Sequence, residues 1–252
     1  HMNRATEHIT GIICFLNKNA DYAVLRNFEG LPDNNNSRDI DIIITRNSYK
    51  KIKRSLVELI DRSGWKIITY LNSDRLVSYV CATTTVEKTE IVQWDFFFDT
   101  SVWGVRLMSA EEFLAHKQFN GFLYYVGIEC QFLDKMLYNC AVGSKYPEKY
   151  KATRETAENT DIVKKKIKHI FGCKDVAECE KKRGKKIFFK ALWGICPSIQ
   201  ALSANIIVKC WNRSRVFATS VHTPVVIHMF PRSMHWVSMR QPSNPCLVTP
   251  LC

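Results

Sequence analysis

No Cys-x-x-Cys pair occurs in this chain, although it holds ten cysteines. They are spread from Cys14 to Cys252 and mostly sit in apolar runs. A zinc or disulfide framework is therefore not expected, and reduced, mostly buried thiols of a cytoplasmic protein are. His222, His228 and His235 have neither helical nor zinc-finger spacing, which argues against a metal site there. The N-terminal stretch lacks the basic flank, apolar run and small-residue cleavage site of a signal peptide, so secretion is not expected. The one long uncharged run, residues 191–208, carries Pro197, Ser198, Gln200, Ser203 and Asn205 and reads as a buried helix, not a transmembrane segment. Internal repeats are lacking, and glycine and proline, 10 and 8 residues of 252, are not in excess. With 46% hydrophobic residues, the chain is long enough to bury one large or two small cores.

The net charge of +12 is unevenly placed. Residues 1–150 hold 18 Lys and Arg against 18 Asp and Glu, whereas residues 151–252 hold 18 against 6. A basic second part suits a phosphate-bearing partner such as a nucleotide, nucleic acid or anionic membrane surface; a solvated lysine-rich helix face explains it equally well. Lys164, Lys165, Lys166, Lys168, Lys181, Lys182, Arg183, Lys185 and Lys186 carry most of this excess. They lack the interleaved aromatics of a single-strand binder, so nucleic acid is only weakly supported as a partner.

Hydrophobic spacing predicts a helix over 4–17, a strand over 22–25, a turn-rich loop over 29–36, a strand over 39–45 and an amphipathic helix ending at Ser63-Gly64. Asn47 or Ser48 is the expected cap of that second helix. Strands are predicted over 65–71, 76–84 and 90–98, and Ser109-Ala110-Glu111-Glu112 reads as a capping box. From Ser109 onward the pattern is helical, around 127–142, 156–171, 176–182, 185–193 and 198–211. The implied fold class is α+β, a mixed sheet flanked by helices and followed by a mostly helical region. The implied division is an α/β core over 3–107, a basic helical region over 108–220 and an irregular tail over 221–252.

Chemistry concentrates in Ser37-Arg38-Asp39-Ile40-Asp41-Ile42. Side chains two apart on a strand share a face, so Asp39 and Asp41 aim two carboxylates at one point. Such a pair repels itself unless a cation intervenes, and hard oxygen donors select Mg²⁺ or Mn²⁺. A further acid, Asp95, stands among apolar and aromatic residues in Ile91-Val92-Gln93-Trp94-Asp95-Phe96-Phe97-Phe98. Burying it unpaired is costly, and sharing a metal with Asp39 and Asp41 removes the cost. Asp99, at the strand end, is the competing third acid, but it is free to be solvated.

Asp39, Asp41 and Asp95 in this order resemble the acids of the nucleotidyltransferase superfamily, whose palm-like core is shared by family X DNA polymerases and aminoglycoside nucleotidyltransferases. More narrowly, Tyr22-Ala23-Val24-Leu25-Arg26-Asn27-Phe28-Glu29-Gly30-Leu31-Pro32 with Arg38-Asp39-Ile40-Asp41, and Asp95 with Val102-Trp103-Gly104-Val105, resemble uncharacterised bacterial nucleotidyltransferase-like domains. Some of those precede a thymidylate-kinase-like domain. The resemblance covers about residues 5–150. It implies that Asp39 and Asp41 bind metal and triphosphate, and that Asp95 binds metal and activates the attacking hydroxyl. The usual Gly-Ser pair before the acids is replaced by Leu25-Arg26-Asn27, so Arg26 would supply phosphate binding by charge, with Asn27, Ser37 and Arg38 completing the nucleotide contacts.

The expected activity is transfer of a nucleoside monophosphate from a nucleoside triphosphate such as ATP to a hydroxyl-bearing acceptor, with release of pyrophosphate. The alternative is a non-catalytic nucleotidyltransferase-like module that binds a nucleotide or partner within a two-domain bacterial enzyme.

Overall fold

In the computed structural model the residues described are 3–35, 39–86, 88–102 and 105–184. The expected helices over 185–193 and 198–211, the uncharged run 191–208 and the tail 221–252 lie outside them, as do Ser37, Arg38, Trp103 and Gly104.

The chain opens with α1 (Arg4–Asn19), whose Ile9, Ile12, Ile13 and Leu16 form one buried stripe. Then come β1 (Tyr22–Val24), β2 (Asp39–Ile44) and α2 (Arg46–Arg62). The α2 cap is Thr45, whose hydroxyl accepts from the Ser48 N–H, because β2 ends one residue earlier and leaves Thr45 extended. This corrects the expected cap at Asn47 or Ser48. Buried Tyr49, Ile52, Leu56 and Ile60 face inward, while Lys50, Lys51, Lys53 and Arg54 are exposed. Strands β3 (Lys66–Asn72), β4 (Leu76–Thr84) and β5 (Thr89–Phe97) follow.

Next is a hairpin, β6 (Asp99–Val102) with β7 (Val105–Ser109), then α3 (Ala110–Leu114) with the expected capping box. Two further strands, β8 (Lys117–Phe119) and β9 (Tyr124–Val126), correct the expectation of an all-helical pattern after Ser109. At three residues each they are too short to show a period of two. The helices α4 (Ile128–Val142), α5 (Lys151–Ala157), α6 (Asp161–Phe171) and α7 (Val176–Lys182) complete the described chain. The single helix expected over 156–171 is two, because Thr160 turns extended before Asp161 and restarts the helix.

Seven of the described strands form one mixed sheet in the order β3-β4-β5-β2-β1-β9-β8. The β2–β5 and β1–β9 pairs are parallel, and the other four are antiparallel. On one face Ile40, Ile42, Ile44, Tyr79, Cys81, Trp94 and Phe96 pack with the α1 and α2 stripes into the main core. At roughly 1.5–3 kcal/mol for each fully buried large apolar side chain, this layer dominates the stability of the domain. Alternation then sends Asp39, Asp41, Gln93 and Asp95 to the opposite face. No described helix is long and apolar enough to cross a membrane. The described cysteines Cys81, Cys130, Cys140, Cys173 and Cys179 are buried free thiols, and Cys14 is exposed.

Candidate metal centre

The strand register builds the site. Across the parallel β2–β5 pair, Asp39 stands opposite Gln93 and Asp41 opposite Asp95. Adjacent strands lie about 4.8 Å apart, so side chains on one face at matched positions meet. One ligand oxygen from each of Asp39, Asp41 and Asp95 lies within 4.8 Å of the others. Two oxygens on opposite sides of one Mg²⁺ would be about 4.2 Å apart at the usual bond length. The trio thus matches a hard divalent cation with small carboxylate movements. Among the described residues no other group of three or more His, Cys, Asp or Glu converges in this way.

Burial gives the cluster its chemical character. Asp41 is 4% exposed and Asp95 7%, whereas Asp39 is half-buried. Asp39 is therefore the acid most open to solvent, and Asp41 is enclosed. Burial pushes the Asp41 carboxyl up to about 6, with Asp39 and Asp95 adding repulsion, against the opposing pull of Arg26 and Lys135. The Arg26 contact is close, yet desolvation outweighs it. A further positive charge at this point would favour the ionised form.

Arg26 reaches Asp41 because the Leu25 N–H donates to the Asp41 carbonyl at 2.8 Å, which carries the β1–β2 pairing one residue beyond the strand. The Arg26 guanidinium forms an ion pair with Asp41 Oδ2 at 2.6 Å and donates to Asp134 Oδ2 at 3.0 Å. Arg26 is thus clamped between two carboxylates. Asn27 follows in the left-handed region at φ 57°, a conformation asparagine tolerates better than most residues. Asp95 accepts from Gln93 Nε2 at 3.0 Å on both of its oxygens. The competing Asp99 is not part of the trio; it is half-buried, and one of its oxygens is buried without a hydrogen-bond partner.

Sequence reading missed four participants. Gln93 sits two before Asp95, and the strand period alone would have placed it on the same face. Asp134 and Lys135 are an adjacent charged pair in α4 between the apolar pairs Phe132-Leu133 and Met136-Leu137, which is the signal that was available. Lys135 Nζ lies 3.7 Å from Asp134 Oδ2. Thr100 donates to Asp134 Oδ1 at 2.6 Å, and nothing in the sequence marks it. Four carboxylates, Asp39, Asp41, Asp95 and Asp134, face two cations, Arg26 and Lys135, so these six groups keep an excess of negative charge that attracts a cation.

No protein-family model and no curated protein sequence matches the chain. Among solved structures it is similar to JHP933 from Helicobacter pylori, at 11% identity over 81% of this chain and 95% of that one, with a TM-score of 0.41. Another H. pylori structure, described as a candidate nucleotidyltransferase, is similar at 12% identity over 80% of this chain and 98% of that one, with a TM-score of 0.34.

Proposed function

We propose that this protein is a metal-dependent nucleotidyltransferase that moves a nucleoside monophosphate from a nucleoside triphosphate to a hydroxyl of an acceptor. The observation that carries the reading is the in-register pairing of Asp41 with Asp95 beside Asp39, with two of the three carboxylates almost fully buried. Keeping such a cluster ionised is costly for a fold unless a cation repays it.

Asp39, Asp41 and Asp95 would hold the ion, Mg²⁺ or Mn²⁺. When bound, the ion supplies charge neutralisation for the triphosphate and orients the attacking and leaving oxygens. Asp95 would accept the proton of the acceptor hydroxyl as that oxygen bonds to the α-phosphorus and the bond to pyrophosphate breaks. Gln93, donating to both Asp95 oxygens, would hold that carboxylate in one orientation. Arg26 would place positive charge beside the phosphates, and Asn27, Ser37 and Arg38 remain the proposed further contacts.

A second reading, a nucleotide- or partner-binding module without catalysis, is favoured by one observation. Arg26 stands where the related domains carry small residues, and its guanidinium is already engaged by Asp41 and Asp134.

The two readings part in a binding panel of ATP, GTP, CTP and UTP with and without Mg²⁺, on the parent and on the Asp39→Ala, Asp41→Ala double variant. The transferase reading expects binding that needs Mg²⁺ and is lost in the variant. Metal-independent binding unaffected by the substitutions, or no binding, removes it.

A further inference from the structure

Asp134 and Thr100 belong to elements outside the three acids, and their contacts end on one of them. Thr100, at the start of the β6–β7 hairpin and 8% exposed, donates to one oxygen of Asp134 at 2.6 Å. Asp134, midway along α4, takes the Arg26 Nη1 on its other oxygen at 3.0 Å, and Arg26 Nη2 reaches Asp41 Oδ2 at 2.6 Å. The Arg26 and Asp134 side chains are 16% and 14% exposed, so water screens this chain only weakly.

We propose that Asp134 and Thr100 are positioning residues that act through Arg26 on the cation site, a reading that rests on the metal centre proposed above. An arginine is long and flexible, and beside three carboxylates it is an internal competitor for any divalent cation. The guanidinium pairs with Asp134 and, through Oδ2, with Asp41, and this tether would keep it from turning toward Asp39 and Asp95. The Asp41 oxygen open to a cation without displacing Arg26 is then Oδ1. Thr100 locks the carboxylate plane of Asp134, which fixes where its other oxygen holds the guanidinium. The consequence is a division of labour in which Arg26 keeps its charge at the edge of the centre, where a phosphate would meet it.

The test is Mn²⁺ binding to the full chain, read without nucleotide by the electron paramagnetic resonance signal of free Mn²⁺, for the parent, Thr100→Val, Asp134→Asn, Arg26→Gln and Arg26→Gln with Asp134→Asn. Thr100→Val changes no charge, and it is expected to weaken Mn²⁺ binding roughly tenfold, as does loss of an outer-shell partner elsewhere. Asp134→Asn weakens it at least as much. Arg26→Gln, which removes the competing cation, tightens it while weakening ATP binding. In the Arg26→Gln background, Asp134→Asn has no further effect, because its action runs through Arg26.

A purely structural role would lower the melting temperature of Thr100→Val and leave its Mn²⁺ affinity at the parent value, and that result overturns the proposal. An undiminished effect of Asp134→Asn in the Arg26→Gln background also overturns it, since Asp134 would then act on the ion directly. A parent that binds no Mn²⁺ sinks the metal centre itself. A parent that binds through Asp39 and Asp41, with variants like it, sinks only this inference.

Discussion

Trp94 donates its indole N–H to Nε2 of His8 at 3.1 Å, and the His8 ring stacks on Trp65 with centroids 4.3 Å apart. The residue after Trp94 is Asp95, so the helical face and the carboxylate face are coupled back to back through one strand. His8 must stay neutral to accept that hydrogen bond.

Burial lowers the His8 pKa from its ordinary 6.5 to about 4. Above pH 6.5 folded and unfolded chains both carry a neutral His8, and the full contribution to stability is present. As the pH falls from 6.5 to about 4 the unfolded chain binds the proton first, so stability declines by on the order of 3 kcal/mol and levels off below that range. Urea unfolding at pH 7.5, 6.0, 5.0 and 4.5 should show this slope in the parent and a shallower one in His8→Asn. Equal slopes would assign the acid sensitivity elsewhere.

Removing the Asp41 charge should separate stability from ligand binding. The ionised carboxyl is held in the fold against desolvation and the repulsion of Asp39 and Asp95. Asp41→Asn should therefore melt at or above the parent temperature at pH 7.5, by a gain of up to about 2 kcal/mol, while losing Mg²⁺-dependent nucleotide binding. A clear drop in melting temperature would mean that the Arg26 pair is worth more than the burial costs.

Tyr49 and Tyr79, 4% and 1% exposed, share a hydroxyl–hydroxyl hydrogen bond between α2 and β4. Tyr79→Phe leaves the Tyr49 hydroxyl buried without its partner and should cost about 1–3 kcal/mol in chemical denaturation. The double change Tyr49→Phe, Tyr79→Phe removes both polar groups and should cost less than the sum of the single changes. Strict additivity would show that the bond contributes little.

Asn27 tests the turn that delivers Arg26. At φ 57° a β-branched side chain is strained, so Asn27→Val should lose about 1–2 kcal/mol, whereas Asn27→Gly should be nearly neutral in the fold. Matched melting curves check both, and equal stability of the two variants would show that the turn relaxes at no cost.

Local sequence pattern is enough for the α+β class, for α1, α2 and β1 to β5, and for the shared face of Asp39 and Asp41. Each follows from a local period: Ile9, Ile12, Ile13 and Leu16 repeat at helical spacing, and residues two apart on a strand share a face. Asp95 was legible as well, since a lone acid in an apolar strand demands a partner. The three-residue strands β8 and β9 were not, because their pairing with each other and with β1 is decided by neighbours distant in sequence. That Asp41 faces Asp95 in a parallel pair, and that Arg26 is shared with Asp134, 108 residues away, is set by long-range packing. Parallel register and ion pairing between distant segments carry no local period, so they emerge only when the chain packs.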